Sequence, residues 1–253
     1  MQTPNSGPLK STETTLEIVE AIREHGALGV TETATILDIP KSTASDHLRT
    51  LRKHGYLITE DGKYRLGLRF LELGDHARND HGFFKTAKPE VDQLARNTGE
   101  LVHLSVKENG AGVIIYEAEG ERAVSLDTFV GRRVPMHCTA LGQVMLANMS
   151  RERVAEIIAE KGLPAVTEET ITDEERFFRH LETVREDGYA TIRGERVPEL
   201  GSIAVPVKKN GTVFGAVSVC CPMSRASDER FEAELPKRVL EAANRITLDL
   251  KYS

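Results

Sequence analysis

The chain has 253 residues, 40% of them hydrophobic, and a net charge of −6, which is the size and composition of a globular protein with two domains. No apolar run approaches the roughly 18 residues of a membrane-spanning helix, and the first residues lack the charged and apolar segments of a secretory signal. Three cysteines are too few for a disulfide framework, so we expect a protein of the reducing cytoplasm.

The first eighty residues predict three helices. Leu16, Val19 and Ile22 recur at helical spacing and are expected to form the buried face of the first. Ser42 is the expected N-cap of the third, because Pro40 stops the helix before it. Ala44, Leu48 and Leu51 are expected to point inward from this third helix. The predicted helices span residues 12–25, 31–37 and 42–54.

A β-hairpin is expected to follow the third helix. Apolar and polar residues alternate in YLITEDGKYRLG around Asp61-Gly62, a pair typical of two-residue hairpin turns. Helix, short helix, turn, helix and hairpin in this order are typical of a winged helix-turn-helix. In that motif the third helix enters the DNA major groove.

Positive charge is concentrated on the third helix, although the chain as a whole is acidic. Residues 41–54 carry four Lys or Arg against one Asp, a balance of +3. Residues 1–80 hold 10 Lys or Arg against 12 Asp or Glu. This focus favours DNA binding over a merely solvated face, although winged helices also serve as protein-interaction modules.

The residue types on this helix suit a DNA-reading surface. Ser and Thr contact bases or phosphates, Arg binds guanine, and Asp accepts a hydrogen bond from the amine of cytosine. Basic residues on the wing suit phosphate contacts. The predicted DNA-binding residues are Lys41, Ser42, Thr43, Ser45, Asp46, Arg49, Lys53, Lys63 and Arg65.

The rest of the chain predicts a linker helix and an α+β domain. A helix over residues 68–79, with Leu71 facing inward, is expected to join two domains. From Glu100 the periodicity changes to two, and LVHLSVKENGAGVIIYEAEGERAVSLDTF predicts three strands. Asn210-Gly211 predicts a second hairpin within SIAVPVKKNGTVFGAVSVCCP.

Helices are expected between these two blocks of strands and after them. Thr172 with Glu175 predicts a capping box, and Pro236 an irregularity in the last helix. Two blocks of strands that enclose helices predict a mostly antiparallel sheet. The predicted domains are residues 1–67 (winged helix-turn-helix), 68–82 (linker helix) and 83–253 (effector-binding domain).

Several cysteine and histidine residues raise the alternatives of a metal site, a redox sensor or an enzyme. His137 adjoins Cys138, and Cys220 adjoins Cys221, but no metal-binding spacing supports a metal site. His103, on the first predicted strand, is expected to complete a hydrogen bond in the core. No third group is evident to orient a nucleophile–base pair, and the motifs of hydrolases, nucleotide-binding loops and dinucleotide-binding folds are missing. We therefore expect no enzyme and no cofactor.

Seven stretches in order resemble the IclR family of transcriptional regulators over nearly the whole chain. They are IPKSTASDHLRTLRKHGYL, YRLGLRFLELG, LARNTGELVHLSV, GRRVPMHCTALGQVMLANM, LPAVTEETITD, VREDGYATIRGE and SIAVPV with GAVSVCCP. The resemblance implies an N-terminal winged helix, a linker helix and a C-terminal α+β domain related to GAF and PAS sensors. It also implies a homodimer or homotetramer whose binding to double-stranded DNA is altered by a small molecule.

The resemblance also places an effector pocket in the C-terminal domain. Its implied residues are Met136, His137, Cys138, Thr139, Ala140, Leu141, Glu195, Ser202, Ser218 and Cys220. Ser218 and Cys220 alternate onto one face of a strand, and the helix start near residues 138–141 offers free N–H groups to a carboxylate. We therefore expect a small acidic effector such as a keto acid, sugar acid or aromatic acid.

The chain departs from the family pattern at four positions. Ile192 and Arg193 stand where many relatives carry an acidic pair, and Arg193 either adds a charge that binds the effector or points outward. Gln143 replaces a usual lysine. Asp46 stands where relatives often have arginine, and it either reads a cytosine or holds Arg49 in place.

The alternative function is a metabolite, metal or redox sensor whose winged helix contacts protein.

Overall fold

The computed structural model describes residues 7–80 and 82–252, so the parts of the predicted domains at residues 1–6, 81 and 253 lie outside the described residues. The chain divides into two compact units, Met1–Ala77 and Arg78–Ser253. This division falls within the helix predicted as a linker. Within the described ranges, no helix is long and apolar enough to cross a membrane.

The first unit has the predicted order of elements. Helix α3 buries Ala44, Leu48 and Leu51, as its periodicity predicts. Asp61 and Gly62 both have positive φ, which forms the tight turn between strands β1 and β2. The elements are α1 (Lys10–His25), α2 (Val30–Ile36), α3 (Lys41–Lys53), β1 (Leu57–Glu60), β2 (Lys63–Leu66) and α4 (Arg69–Asp80), which continues into the second unit.

Three expectations for this region were wrong in detail. Helix α1 buries Thr14, Ile18, Ala21 and Ile22, whereas Leu16 is 61% exposed. Helix α3 begins one residue earlier than predicted, because Pro40 already has the fixed φ of −58° and its carbonyl accepts the first helical hydrogen bond. Ser42 is therefore not the cap but an exposed residue of the first turn.

Helix α4 also differs from its prediction. Leu71, expected to face inward, is 70% exposed, and none of the residues Arg69–Asp80 is buried. The apolar spacing therefore predicted the helix, but the buried face expected on it is not found among the residues of α4.

The second unit contains five helices, a six-stranded sheet and a π-helical turn among its described residues. The strands are ordered β5-β4-β3-β8-β7-β6, and all neighbours are antiparallel. The elements are α5 (Phe84–Thr98), β3 (Leu101–Glu108), β4 (Ala111–Glu119), β5 (Arg133–Val134), α6 (Ala140–Ala147), α7 (Arg151–Lys161), α8 (Glu174–Asp187), β6 (Ala190–Arg193), β7 (Leu200–Lys209), β8 (Thr212–Pro222) and α9 (Leu235–Tyr252).

Two of the predicted boundaries need correction. The segment predicted as a third strand after Glu119 is a loop, and its chain rejoins the sheet only at the two-residue strand β5. Helix α8 is capped by Asp173, which accepts the N–H of Arg176 at 2.7 Å, rather than by Thr172. The irregularity predicted at Pro236 is confirmed, since a π-helical turn at Arg230–Glu234 precedes it.

The sheet separates two hydrophobic layers. Helices α5 and α9 cover one face, where Phe83, Val91, Phe231 and Ile246 are buried. Helix α6 covers the other face and α8 packs on α6, with residues such as Phe177 in the core. All eight residues of α6 are buried, because this helix lies between the sheet and α8.

A buried carboxylate ties the start of the sheet to the segment that leads into α9. Glu100 is fully buried and binds two arginines: Arg225 Nη2 lies 2.6 Å from Oε2, and Arg230 Nη2 lies 2.9 Å from Oε1. The two cations satisfy both carboxylate oxygens, and each guanidinium keeps some contact with water. A buried charge without such partners would be strongly destabilising.

The variant Glu100→Ala is expected to lower the free energy of unfolding by about 2 kcal/mol, less than the cost of breaking a fully dry ion pair because Arg225 reaches solvent. Chemical denaturation followed by circular dichroism measures this change. The matched control is Glu156→Ala, which removes an exposed pair with Arg153 and is expected to cost less than about 0.5 kcal/mol. Equal losses for the two variants would contradict the role assigned to Glu100.

Candidate functional site

The predicted DNA-contacting residues lie on one continuous part of the first unit. The buried side of α3 holds Leu48 and its neighbours against α1, so the polar side faces solvent. Lys63 and Arg65 alternate outward on β2, while Tyr64 between them points into the core. The exposed members of the predicted set are Lys41, Ser42, Asp46, Arg49, Lys53, Lys63 and Arg65, and the half-buried members are Thr43 and Ser45.

Asp46 holds Arg49, which was one of the two roles predicted for it. Arg49 Nη2 donates to Asp46 Oδ1 at 2.6 Å, and both side chains are about two-thirds exposed. On the wing, Lys63 pairs with Glu32 at 2.8 Å. Exposed pairs of this kind are weak, so the cations can exchange their carboxylate for a phosphate at small cost.

The second unit contains a cavity of about 220 Å³ between the sheet and the start of α6. Strands β3, β7 and β8 form its floor, and the loops before β5 and after β6 form its sides. Six predicted effector residues line it together: Thr139, Ala140, Leu141, Ser202, Ser218 and Cys220.

The other predicted effector residues do not line this cavity. Met136, His137 and Cys138 are buried behind the start of α6, where His137 Nε2 donates to the carbonyl of Pro164 at 2.9 Å. Burial raises the pKa of the Cys138 thiol to about 11, which keeps it protonated.

Arg193 requires a correction, since it was predicted to contribute to effector binding. Its neighbour Ile192 lines the cavity, and side chains alternate along a strand, so Arg193 lies on the opposite face of β6. There its guanidinium stacks 5.0 Å from the ring centre of Phe231 and lies 3.2 Å from Asp228 Oδ1. Arg193 therefore points away from this cavity, which favours the outward alternative.

The start of α6 borders the cavity. Thr139 caps the helix and accepts the N–H of Gly142, and the next two residues, Ala140 and Leu141, line the cavity. A side chain at Gly142 would lie 2.2 Å from Met136 Cα, so only glycine allows this close approach. Gly142 therefore fixes the helix start against the segment before it.

Gln143 anchors this helix start to the β6–β7 connection. Its Nε2 donates to Glu195 Oε2 at 2.8 Å and to the carbonyl of His137 at 2.9 Å. Its Oε1 accepts from His180 Nε2 at 2.9 Å. Burial raises the pKa of Glu195 to about 7, and the hydrogen bond from Gln143 opposes part of that rise. Glu195 thus supports the site from behind instead of lining it.

The structure adds five polar residues to the cavity that the sequence did not indicate. Two arginines, one from each side loop, lie at its sides, together with an aspartate and a threonine from the loop predicted as a strand. His103, predicted only to complete a hydrogen bond in the core, also lines the cavity. The added residues are His103, Asp127, Thr128, Arg132 and Arg196.

A chain of hydrogen bonds crosses the cavity floor. Cys220 Sγ lies 3.8 Å from His103 Nδ1 and 3.3 Å from Ser202 Oγ. His103 Nε2 lies 2.8 Å from Glu117 Oε2, which also accepts from Thr128 at 2.9 Å. Burial alone would lower the pKa of His103, but its bonds with Cys220 and Glu117 raise that pKa to about 9. The hydrogen bond with His103 in turn lowers the pKa of Glu117.

Ser218 brings an unused hydroxyl to the same floor. Its Oγ is buried and makes no hydrogen bond of good geometry among the described residues, although it lies close enough to Cys220 to help lower the pKa of that thiol. Ser105 Oγ is also buried without a hydrogen-bond partner among the described residues, but Ser105 does not line the cavity. A buried hydroxyl without a partner is costly, so Ser218 is suited to a polar group of a bound ligand.

A second cavity, of about 300 Å³, lies on the other side of the segment that leads into α6. Its walls are mainly apolar and include Met136, Leu146, Ile157 and Phe177. Val134 borders both cavities, so at this point the two cavities share one wall.

Comparison with known proteins gives two family matches. A model described as "Bacterial transcriptional regulator IclR C-terminal" matches residues 76–248, which is more than half of the chain. A model described as "Bacterial regulatory protein, arsR family" matches residues 12–59, which cover nearly all of the three helices and the first strand of the winged helix.

Individual relatives span nearly the whole chain. The protein is 32% identical over 241 residues to a probable HTH-type transcriptional regulator ArcR of Halobacterium salinarum, covering 93% of this chain and 92% of that protein. It is 32% identical over 238 residues to the HTH-type transcriptional regulator KdgR of Escherichia coli, with coverages of 93% and 90%.

A solved structure shows the same fold. An IclR homologue from Microbacterium hydrocarbonoxydans, complexed with 4-hydroxybenzoate, superposes with a TM-score of 0.83 at 27% identity, covering 96% of this chain and 98% of that one. The chain has a winged helix in its first unit and an α+β domain with a cavity in its second. Together with these matches, these features show that the chain belongs to the IclR family of DNA-binding transcriptional regulators.

Proposed function

We propose that the protein's affinity for its operator is set by a small organic acid that binds in the cavity of the second unit. The observation that carries this proposal is the cavity itself, where two arginines, the start of α6 and the unpartnered hydroxyl of Ser218 converge. Helix N-termini and arginines both favour anions. The related Microbacterium structure holds 4-hydroxybenzoate, which is also an acid.

The DNA-binding side of the proposal rests on α3 and the wing. Residues on the polar side of α3 have the types that read base edges, and Lys63 and Arg65 extend this surface along β2.

We infer that the domains are residues 1–67, 68–82 and 83–253, that the protein works as a homodimer or homotetramer, and that it acts in the cytoplasm. The exposed leucines of α4 suit a partner outside this chain.

An electrophoretic mobility assay with the upstream DNA of the protein's own gene tests the whole proposal. Specific binding is expected at low salt, with an affinity that falls steeply as salt rises. Addition of keto, sugar or aromatic acids is expected to shift this affinity. Absence of specific binding under all these conditions would overturn the proposal and favour a sensor that contacts protein.

The variant Arg49→Ala is expected to weaken operator binding by ~1–3 kcal/mol through one base position if Arg49 reads a base edge. The variant Asp46→Asn is expected to strengthen binding to any DNA, because it releases Arg49 from its carboxylate. Mobility assays on a set of single-base operator mutants measure both effects. Arg153→Ala, on α7 of the other unit, is the control and should leave the affinity unchanged. An equal loss on every DNA sequence would make Arg49 a phosphate contact.

The variant Ser218→Ala is expected to reduce the affinity for the acid about fivefold to tenfold, the value of one hydrogen bond, without lowering the melting temperature of the free protein. The matched control is Ser105→Ala, which removes a similar buried hydroxyl away from the cavity and should leave the affinity unchanged. Thermal shift with and without the acid gives both quantities. Loss of stability in Ser218→Ala would show that its hydroxyl has a partner within the protein.

Variants of two arginines that are close in sequence distinguish a contact within the cavity from a general effect of net charge on effector affinity. Arg196→Ala is expected to weaken an anionic effector about tenfold, because a charge-assisted hydrogen bond is lost. Arg193→Ala removes the same charge three residues away, but on the far face of the sheet, and is expected to change the Kd less than about twofold. Isothermal titration calorimetry measures both. A larger effect for Arg193 than for Arg196 would place the effector elsewhere.

A further inference from the structure

The cavity floor holds a Cys–His–Glu arrangement that is more than a set of packed polar groups. Cys220 Sγ faces His103 Nδ1, and the other ring nitrogen of His103 faces Glu117. A nucleophile next to a base that a third group orients is the arrangement that activates side chains for covalent chemistry. The sequence did not reveal it, because His103 and Cys220 are 117 residues apart, and His137, which adjoins a cysteine in the chain, bonds elsewhere.

The sheet register holds these groups in place. His103 lies directly across from Glu117 on one side and from Ser218 on the other. Cys220 lies directly across from Ser202. Five polar residues of four adjacent strands therefore occupy two neighbouring rows, and four of them, all except Glu117, line the cavity.

The electrostatics favour a thiolate at Cys220 over the other two cysteines. Burial alone would raise the pKa of the Cys220 thiol, but the hydrogen bond and charge of His103, together with the hydroxyls of Ser202 and Ser218, outweigh burial and lower it. In Cys138 and Cys221 burial dominates and raises the pKa to about 11. The other charged groups that line the cavity are Arg132, Arg196 and Asp127, two cations against one anion.

We propose that Cys220 is a nucleophile that holds the effector by reversible addition to an electrophilic carbonyl, as found in α-keto acids. This inference rests on the proposed function, since it concerns the same cavity. In the step, the thiolate sulfur forms a bond to the carbonyl carbon, and the π electron pair of C=O moves to the oxygen. That oxygen takes the proton of the His103 imidazolium and yields a hemithioketal, and the reverse step releases the acid unchanged.

The neighbouring groups each have a part in this step. Glu117 orients the ring of His103 and stabilises its charged form. Ser218 offers its unused hydroxyl to the oxygen that develops charge. The N–H groups at the start of α6 and the two arginines hold the carboxylate, so the carbonyl next to it is delivered to the cavity floor.

The first test uses 3-bromopyruvate as an affinity label on the full-length protein. The Cys220 thiolate displaces bromide and leaves a stable thioether, which peptide mass spectrometry locates. Cys220 is expected to react at least about tenfold faster than Cys138 or Cys221, because the pKa of its thiol is lowered whereas burial raises theirs. Equal or slower labelling of Cys220 would overturn the proposal.

Glu117→Gln keeps the shape of the orienting side chain and removes its charge. Because His103 then loses the partner that favours its charged form, the pH of half-maximal labelling of Cys220 is expected to rise. An unchanged pH profile would show that His103 and Glu117 do not activate the thiol. Glu117 is partly exposed, so this variant serves even if a substitution of buried His103 prevents folding.

Pyruvate and lactate differ only in the carbonyl, and their comparison tests the covalent step. Pyruvate is expected to bind wild type more tightly than lactate does, with the preference lost in Cys220→Ala. Equal affinity of pyruvate for wild type and Cys220→Ala would overturn this inference and leave acid binding intact. Both acids are also added during labelling with 3-bromopyruvate. Rapid labelling of Cys220 that neither acid slows would support the nucleophile but would overturn the proposed acid effector.

Discussion

The antiparallel pairing of β3, β8 and β7 is the constraint on which the rest of the second unit depends. It turns one side of each strand toward α5 and α9 and the other toward α6, so apolar and polar positions separate onto two faces. Because the side-chain period of a strand is two, a slip of β8 by one residue would turn Ser218 into the apolar layer and Val217 toward the cavity. Register therefore brings together the polar groups that come from different strands.

Most of the fold could be predicted, because it follows from periodicity and turn chemistry close in sequence. Asp61-Gly62 and Asn210-Gly211 both adopt the positive φ values that their residue types favour. The third strand predicted after Glu119 failed for a non-local reason, since alternation alone cannot show whether a neighbouring strand is present to pair with it. The same limit applies to Leu16 and Leu71, whose spacing indicates a helix but not which face a core covers.

The candidate site was predictable where residues lie on one element and not where separate loops converge. Ser218 and Cys220 share a strand face, so alternation places them together. Arg132 and Arg196 come from connections whose path only the folded chain determines, and Arg193 was misplaced because a single residue of offset reverses its face. His103 carried a signal, a polar residue within an apolar strand, but its partners Glu117 and Cys220 are 14 and 117 residues away.

The second cavity has a mechanical consequence for the wall it shares with the first. Close-packed interiors transmit strain almost without yielding, because no void is available to absorb a displaced side chain. Behind the chain that runs from Val134 to the start of α6, about 300 Å³ of space breaks this continuity. Part of this wall therefore has open space behind it, so a larger side chain there meets no neighbour, whereas any side chain at Gly142 meets the backbone of Met136.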